Sequence, residues 1–275
     1  MPILHAIGCV LGWLIYAASP TYRRHLRANL AQALGPAATL RLSLRVAAEA
    51  GKAVMELPAI WLRPVDAATR LVRDVQGWDE VAAAQASGRG VIFLTPHLGC
   101  FEITAQWLST RLPLTVLYRA PKQAWLDAMM RAGRTRPGMS SVPADLSGVR
   151  ALIKVLRQRG NIGILPDQAP GAGEGVWLPF FGRPAYTMTL AARLSETGAA
   201  PVFLWGERLP AGAGFRLHFK RPRGGLEGST LERAVAINAE LEQLIRDCPA
   251  QYLWGYNRYK QPGGAEPPPL ASDAR

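Results

Sequence analysis

Hydrophobic and polar positions alternate along this chain in blocks that predict strands and helices in turn. The run Gly90-Val91-Ile92-Phe93-Leu94 is short, β-branched and uncharged, the pattern of a strand buried on both faces. Similar short runs at Leu114–Tyr118, Ile162–Leu165, Pro201–Trp205 and Phe215–Phe219 predict further strands. Helical spacing is clearest at Thr230–Arg246, where Leu231, Ala234, Val235, Asn238, Leu241 and Ile245 recur on one face. The same reading predicts helices at Arg41–Trp61, stopped near Pro64, and at Asp79–Ala86, Cys100–Leu108, Gln123–Arg134, Gly148–Arg159 and Tyr186–Glu196. Val176–Pro184 is apolar and aromatic but irregular, fit to line a pocket or to plug the core. Ala169–Gly175 is too rich in Gly and Pro for regular structure and reads as a substrate loop. Strand, helix and strand in succession favour an α/β fold: a mixed, mainly parallel central sheet flanked by helices, with a right-handed crossover from the Val91 strand to the Leu114 strand.

The N-terminus departs from this pattern. Ile3–Ala18 is almost wholly apolar, yet at about 1.5 Å per residue it covers only part of a ~30 Å hydrocarbon core. Arg23, Arg24 and Arg27 follow, which by the positive-inside rule keeps the remainder cytoplasmic whether the segment spans or lies in the interface. Tyr22, Leu26, Leu30 and Leu34 recur every four positions opposite those arginines. That stripe fits a core helix, and beside the apolar segment it fits an amphipathic helix on an anionic membrane, the reading favoured here. Three parts are therefore expected: residues 1–34 as membrane anchor and interfacial helix, 35–261 as the main domain, and 262–275 as a disordered tail.

Charge narrows the partners. The 275 residues carry a formal net charge of +12, which suits anionic lipid, phosphate groups, an acidic protein or nucleic acid. Only Lys52, Lys122, Lys154, Lys220 and Lys260 are lysines, and the other basic residues are arginines. Codon bias and bidentate recognition of phosphate or carboxylate both account for that excess. No nucleic-acid module is recognisable, so nucleic acid is not an expected partner. Cys9, Cys100 and Cys248 form neither a disulfide framework nor a zinc pattern, and the four histidines offer no metal motif, so no metal is expected.

Candidate chemistry concentrates at Thr95-Pro96-His97-Leu98-Gly99-Cys100-Phe101-Glu102, where the buried strand gives way to a helix. A residue there stands at the carboxyl edge of the sheet, where open α/β folds bind ligands. An imidazole can take a proton from a hydroxyl, and a carboxylate across the turn can fix its tautomer, so His97 and Glu102 make a candidate base pair. A structural histidine fits the same spacing. Cys100 is a candidate nucleophile or simple packing. Arg119, ending the Leu114 strand, lies on the same edge. Arg131 and Arg134 suit either the dipole at their helix terminus or, with Arg136, a phosphate or acidic protein. Pro166-Asp167-Gln168 ends the third strand.

Several blocks together resemble the late acyltransferases of lipid A biosynthesis, the lauroyl/myristoyl transferase family of Gram-negative inner membranes. They are the apolar N-terminus with its basic residues, His97 through Glu102, Tyr118-Arg119-Ala120-Pro121-Lys122, Leu165-Pro166-Asp167-Gln168, Val176–Pro184, Gln251-Tyr252-Leu253-Trp254 and Arg258-Tyr259-Lys260. The resemblance implies a glycerolipid-acyltransferase-like fold on the cytoplasmic face of the inner membrane. It implies transfer of a fatty acyl group from an acyl carrier protein thioester to a hydroxyl of a lipid A precursor, with no cofactor. His97 is then the general base, Glu102 orients it, Arg119 supports an oxyanion or phosphate, and Asp167 and Gln168 shape the site. After Trp254 the chain reads Gly255-Tyr256-Asn257-Arg258, where the family commonly has a histidine and paired arginines, so the acceptor stays open. Acyl-CoA as donor, or a phospholipid, ornithine lipid or other glycolipid as acceptor, fits the same motifs. A peripheral anionic-lipid-binding protein is the non-enzymatic alternative.

Overall fold

The structure, a computed structural model, describes residues 1–120 and 124–268, with the side chains of residues 124–126 also left aside. Pro121 and Lys122 of the Tyr118–Lys122 block, the start of the helix expected from Gln123, and the end of the expected tail lie outside the described residues.

Three helices open the chain: α1 (Pro2–Ala18), α2 (Pro20–Leu34) and α3 (Leu40–Trp61), followed by short α4 (Val65–Thr69). The body then runs β1 (Val72–Gln76), α5 (Trp78–Ala86), β2 (Val91–Leu94), α6 (Phe101–Ser109), β3 (Leu114–Tyr118), α7 (Ala124–Arg134), β4 (Met139–Pro143), α8 (Leu146–Arg157) and β5 (Asn161–Ile164). A hairpin of β6 (Gly175–Phe180) and β7 (Arg183–Met188) leads to α9 (Leu190–Ser195), β8 (Ala200–Arg208), β9 (Phe215–Lys220) and α10 (Thr230–Asp247).

The main sheet is seven-stranded in the order β1-β9-β8-β2-β5-β3-β4. Every pairing is parallel except β8 with β9. This is the expected α/β architecture with a mixed, mainly parallel sheet. Alternation along β2 shows why the strand is wholly apolar: Ile92 and Leu94 enter one core and Val91 and Phe93 the other. The first core is closed by α2, α8, α9 and α10, the second by the end of α3 with α5 and α6.

Four expectations need correction. The strands β2 and β3 are parallel, as expected of a crossover, but β5 lies between them. Val176–Pro184 is a regular hairpin, with Pro179 opposite Pro184 and a two-residue turn in which Phe181 and Gly182 both take positive φ, 49° and 72°. Prolines that break a central strand are tolerated in this isolated ribbon, which has no inner strand to starve of donors. Tyr186–Met188 completes that hairpin, so the helix expected from Tyr186 begins only at Leu190. Finally, the Leu26 and Leu30 stripe of α2 is buried in the core with Tyr22 and Leu34 against it, so this apolar face meets protein rather than lipid. Arg23 turns back to cap α1 through the carbonyls of Tyr16 and Ala17, leaving Arg24 and Arg27 outward.

No single helix among the described residues is long and apolar enough to cross a membrane; α1 and α2 meet that measure only as a pair bent by 99°. One face of α1 packs on α3 so tightly that a Cβ on Gly12 would meet the Ala47 carbonyl oxygen at 2.0 Å and one on Gly51 would meet that of Gly8 at 1.9 Å. The other face leaves Ile3, Ile7, Val10, Trp13, Leu14 and Ile15 exposed. At the other end of the chain the Trp177 indole donates to the Glu266 carbonyl, so the beginning of the expected tail lies against the hairpin.

Candidate active site

His97 stands three residues beyond the end of β2, and Asp167 three beyond the end of the neighbouring parallel strand β5, where Leu94 and Ile164 are in register. Equal overhang on adjacent parallel strands brings the two side chains together. Asp167 Oδ1 lies 2.8 Å from His97 Nδ1, and its Oδ2 accepts the His97 backbone N–H at 3.0 Å. Asp167 is buried and its imidazole partner half-buried. Burial alone would raise the Asp167 carboxyl, but the imidazole beside it and its side-chain and backbone hydrogen bonds hold it below the usual carboxylate range. An ionised Asp167 accepts a hydrogen bond from Nδ1–H, which keeps the proton on Nδ1 and leaves Nε2 as the ring's acceptor. The Gln168 amide nitrogen lies 3.3 Å from that Nε2, and Phe101 packs on the ring at 4.8 Å between centroids.

Glu102 does not hydrogen-bond His97. Its carboxylate accepts the Trp61 indole N–H at 2.9 Å and pairs with the Arg134 guanidinium at both oxygens. Burial opposes charge on Arg134, yet Glu102 outweighs it and raises the guanidinium above its ordinary value. Entering α6 at Phe101 turns Glu102 toward α3 and α7, away from the ring. The carboxylate on the imidazole is therefore Asp167 and not Glu102.

The turn between His97 and α6 is held from behind. Gly99 has φ of +62°, and a Cβ there would meet the Gly206 carbonyl oxygen at 2.0 Å, so both conformation and space require glycine. Arg208 donates to the Gly99 carbonyl at 2.8 Å and is fixed by Glu56, which it contacts at 2.6–3.0 Å; His5 reaches the same carboxylate at 3.2 Å. The segment after α10 clamps the same turn: Gly99 N–H donates to the Gln251 carbonyl, Leu253 N–H donates to the His97 carbonyl, and Leu98 bridges Tyr252. The Tyr252 hydroxyl is buried beside Asp167, and burial together with that charge pushes it well above its ordinary value. Arg258 is buried too, donating to the Tyr186 carbonyl and Thr187 Oγ1. The Gln251–Trp254 and Arg258 blocks thus serve to brace the site.

Cys100 is buried, and burial, with Glu56 nearby, raises its thiol well above the ordinary range, which removes it as a nucleophile. Arg119 lies on the same sheet edge as His97, largely exposed, 3.9 Å from Glu174 of the Gly/Pro loop. Arg131 is exposed and paired with Asp127 at 2.8 Å. Arg136 donates to the Trp61 and Arg63 carbonyls and to Gln106, so it closes the end of α3 instead of facing a ligand. Beside Arg119 a groove of about 720 Å³ runs between α8 and α9, with Leu117, Val149, Ile153 and Leu190 inside and Arg157 and Arg193 on it. No group of His, Cys, Asp and Glu suited to a metal occurs among the described residues.

Residues 1–261 match the family described as bacterial lipid A biosynthesis acyltransferase. The chain belongs to this family. It is an acyltransferase. A lipid A biosynthesis palmitoleoyltransferase of Escherichia coli strain K12 is 26% identical over 214 residues, covering 76% of this chain and 68% of the relative. A lipid A biosynthesis lauroyltransferase of the same strain is 25% identical over 267 residues, 94% of this chain and 86% of the relative. A phosphatidylinositol mannoside acyltransferase of Mycobacterium tuberculosis strain H37Rv is 31% identical over 206 residues, 70% of this chain and 64% of the relative.

Residue type and strand order, not spacing, would have disclosed the Asp167 contact: both Thr95-Pro96-His97 and Leu165-Pro166-Asp167 end buried strands, and only the adjacency of β2 and β5 pairs them. The support from Arg208 and Glu56 carries no local sequence signal, since its members lie on α1, α3 and β8.

Proposed function

We propose that this acyltransferase moves a fatty acyl chain from an acyl carrier protein thioester to a hydroxyl of a lipid A precursor at the inner membrane, with His97 as general base. The observation that carries this reading is the Asp167–His97 pair at the carboxyl edge of the sheet in a chain matched to the lipid A acyltransferase family over residues 1–261. The acceptor hydroxyl replaces the Gln168 amide at Nε2 and gives its proton to the ring as its oxygen attacks the thioester carbonyl. Asp167 stabilises the imidazolium. Collapse of the tetrahedral intermediate breaks the C–S bond, and the imidazolium returns the proton to the departing carrier thiolate. No acyl-enzyme is needed, consistent with a buried, protonated Cys100.

Arg119, exposed at the same edge, meets the developing oxyanion or a phosphate of the acceptor. The neighbouring apolar groove, of a size that holds small ligands, takes a substrate hydrocarbon chain. Glu102 acts by holding Arg134, and Arg131 by presenting positive charge with the rest of a +12 surface to an acidic carrier and anionic lipid. The exposed apolar face of α1 lies in the cytoplasmic leaflet of the inner membrane.

A second acceptor class has a specific observation in its favour. The mycobacterial relative is named for a phosphatidylinositol mannoside, so another glycolipid hydroxyl suits the same catalytic pair. Mass spectrometry of lipid A from cells with the gene intact, deleted or carrying His97→Ala separates the two. Loss of one secondary acyl chain in both altered strains supports lipid A. Unchanged lipid A with loss of an acyl group from another lipid supports the second acceptor.

A further inference from the structure

Helix α8 carries a charge pattern that the acyl-transfer chemistry leaves unused. Over Leu146–Arg157 it holds three basic residues and no acidic one. Gly148, Leu152 and Leu156 are buried against the sheet, so the helical period sends Arg150, Lys154 and Arg157 outward, within roughly 80° of arc together with Leu146. All four are exposed. Leu146 is 75% exposed, more than any other large apolar residue outside α1 among the described residues.

These cations are unmatched. Arg150, Lys154 and Arg157 have no carboxylate partner among the described residues, and neither has Arg193, which faces Arg157 across the groove from α9. The carboxylates lining that groove are already engaged: Asp145 accepts the Ser147 and Gly148 N–H groups as the cap of α8, Glu174 accepts the Gly171 N–H and faces Arg119, and Glu196 accepts from the Thr230 hydroxyl. Like charges four residues apart, as at Arg150 and Lys154, work against a helix, and an acidic partner removes that cost.

Position ties this face to the active site. Strands β3 and β4 are parallel with Tyr118 opposite Pro143, so α8 starts at the carboxyl edge that holds Arg119 and His97. Leu146, Val149 and Ile153 also wall the groove assigned above to a hydrocarbon chain, so a protein seated on α8 stands beside the chain it delivers. A membrane fits less well. Helix α8 packs on β3, β4 and β5, whereas α1, with its exposed apolar face, meets α3 and the turn after β8 on the other half of the sheet. One exposed leucine among three cations suits a protein contact with a polar rim better than an inserting face.

We infer that the outward face of α8 docks the acyl carrier protein. Arg150, Lys154 and Arg157 meet carboxylates on the acidic carrier, Leu146 makes the apolar contact, and the thioester arm passes over the start of α8 to His97. The inference rests on the carrier-dependent donor proposed above and adds where that donor is held.

Fluorescence anisotropy of labelled, acyl-loaded carrier protein with the full chain tests it without reference to the acceptor. Arg150→Glu/Lys154→Glu should weaken binding about tenfold, whereas Arg221→Glu/Arg223→Glu, an equal change in net charge at exposed positions beyond β9, should leave it nearly unchanged. Leu146→Ser should weaken it as well, and it provides the test if charge reversal lowers the melting temperature. In kinetics the Arg150 and Lys154 reversal should raise KM for the carrier thioester and leave transfer from acyl-pantetheine, which lacks the protein, at the wild-type rate. Wild-type binding that survives both α8 variants, or that falls equally in the Arg221/Arg223 control, overturns the docking site and leaves the carrier as donor. Loss of vesicle binding in the α8 variants with carrier binding intact makes lipid the occupant and overturns it too. A wild type that neither binds the carrier nor uses its thioester overturns the donor reading itself.

Discussion

Asp167 holds His97 at two points, with one carboxylate oxygen 2.8 Å from Nδ1 and the other 3.0 Å from the backbone nitrogen. Both contacts call for an acceptor. An asparagine offers one acceptor and one donor, so either the backbone N–H or the ring faces an NH2 group. Where the ring does, the tautomer inverts and Nε2 carries the proton. Asp167→Asn should therefore lower the rate of acyl transfer by up to roughly 10⁴-fold, the loss known where a carboxylate-to-amide change inverts a catalytic imidazole. Steady-state kinetics of a folded variant, confirmed by its melting curve, checks this.

The Glu102–Arg134 pair gives a different signature. The carboxylate is buried and also holds the Trp61 indole, so removing either partner strands a charge. Glu102→Ala and Arg134→Ala should each destabilise the protein by about 3 kcal/mol, and the double variant by little more than either alone. Denaturant unfolding of the three variants yields the coupling; additive losses would remove the pair from the account.

Acid should unfold the protein through its buried carboxylates. Asp167 and Glu56 are both held below their ordinary values: burial raises each, and the charges and hydrogen bonds of His97 for one and of Arg208 and His5 for the other prevail. A depressed folded pKa contributes stability that is complete above the unfolded value, near 4, and is lost as pH falls through the folded value. The melting temperature should drop steeply below about pH 4. In Asp167→Asn the drop should be shallower, as thermal melts across that range will show.

Packing of α1 on α3 depends on bare backbone. Gly12→Val places a side chain where even a Cβ meets the Ala47 carbonyl oxygen at 2.0 Å, so α1 must lift. His5 would move from Glu56 with it. We expect faster proteolysis near the N-terminus and a loss of roughly 1–3 kcal/mol, as overpacking commonly costs. Limited proteolysis against the wild type measures both.

Pattern alone made much of the body legible, because β2, β3 and β5 stand out as short apolar runs and α10 carries a helical period. Strands β1 and β4 went unread: Val72-Arg73-Asp74-Val75-Gln76 and Met139-Ser140-Ser141-Val142-Pro143 lie at the two sheet edges, where half-exposed polar sequences suffice. The stripe of α2 was legible as amphipathic but not as to what it faces, since lipid and core select the same residues. His97 was legible as a site residue because it ends a buried strand. Its partner was not: Glu102 is close in sequence but turned toward Arg134, and Asp167 is brought near only by the pairing of β2 with β5.

Acyl transfer by purified His97→Ala protein, with an acyl carrier protein thioester and a lipid A precursor, tests the central claim most directly. Loss of a general base predicts a fall of about 10²–10⁴-fold in turnover. Removing the ring also strips the buried Asp167 of its partner, so the assay is run below the melting temperature measured for the variant. Transfer at the wild-type rate would contradict the assignment of His97 as the base.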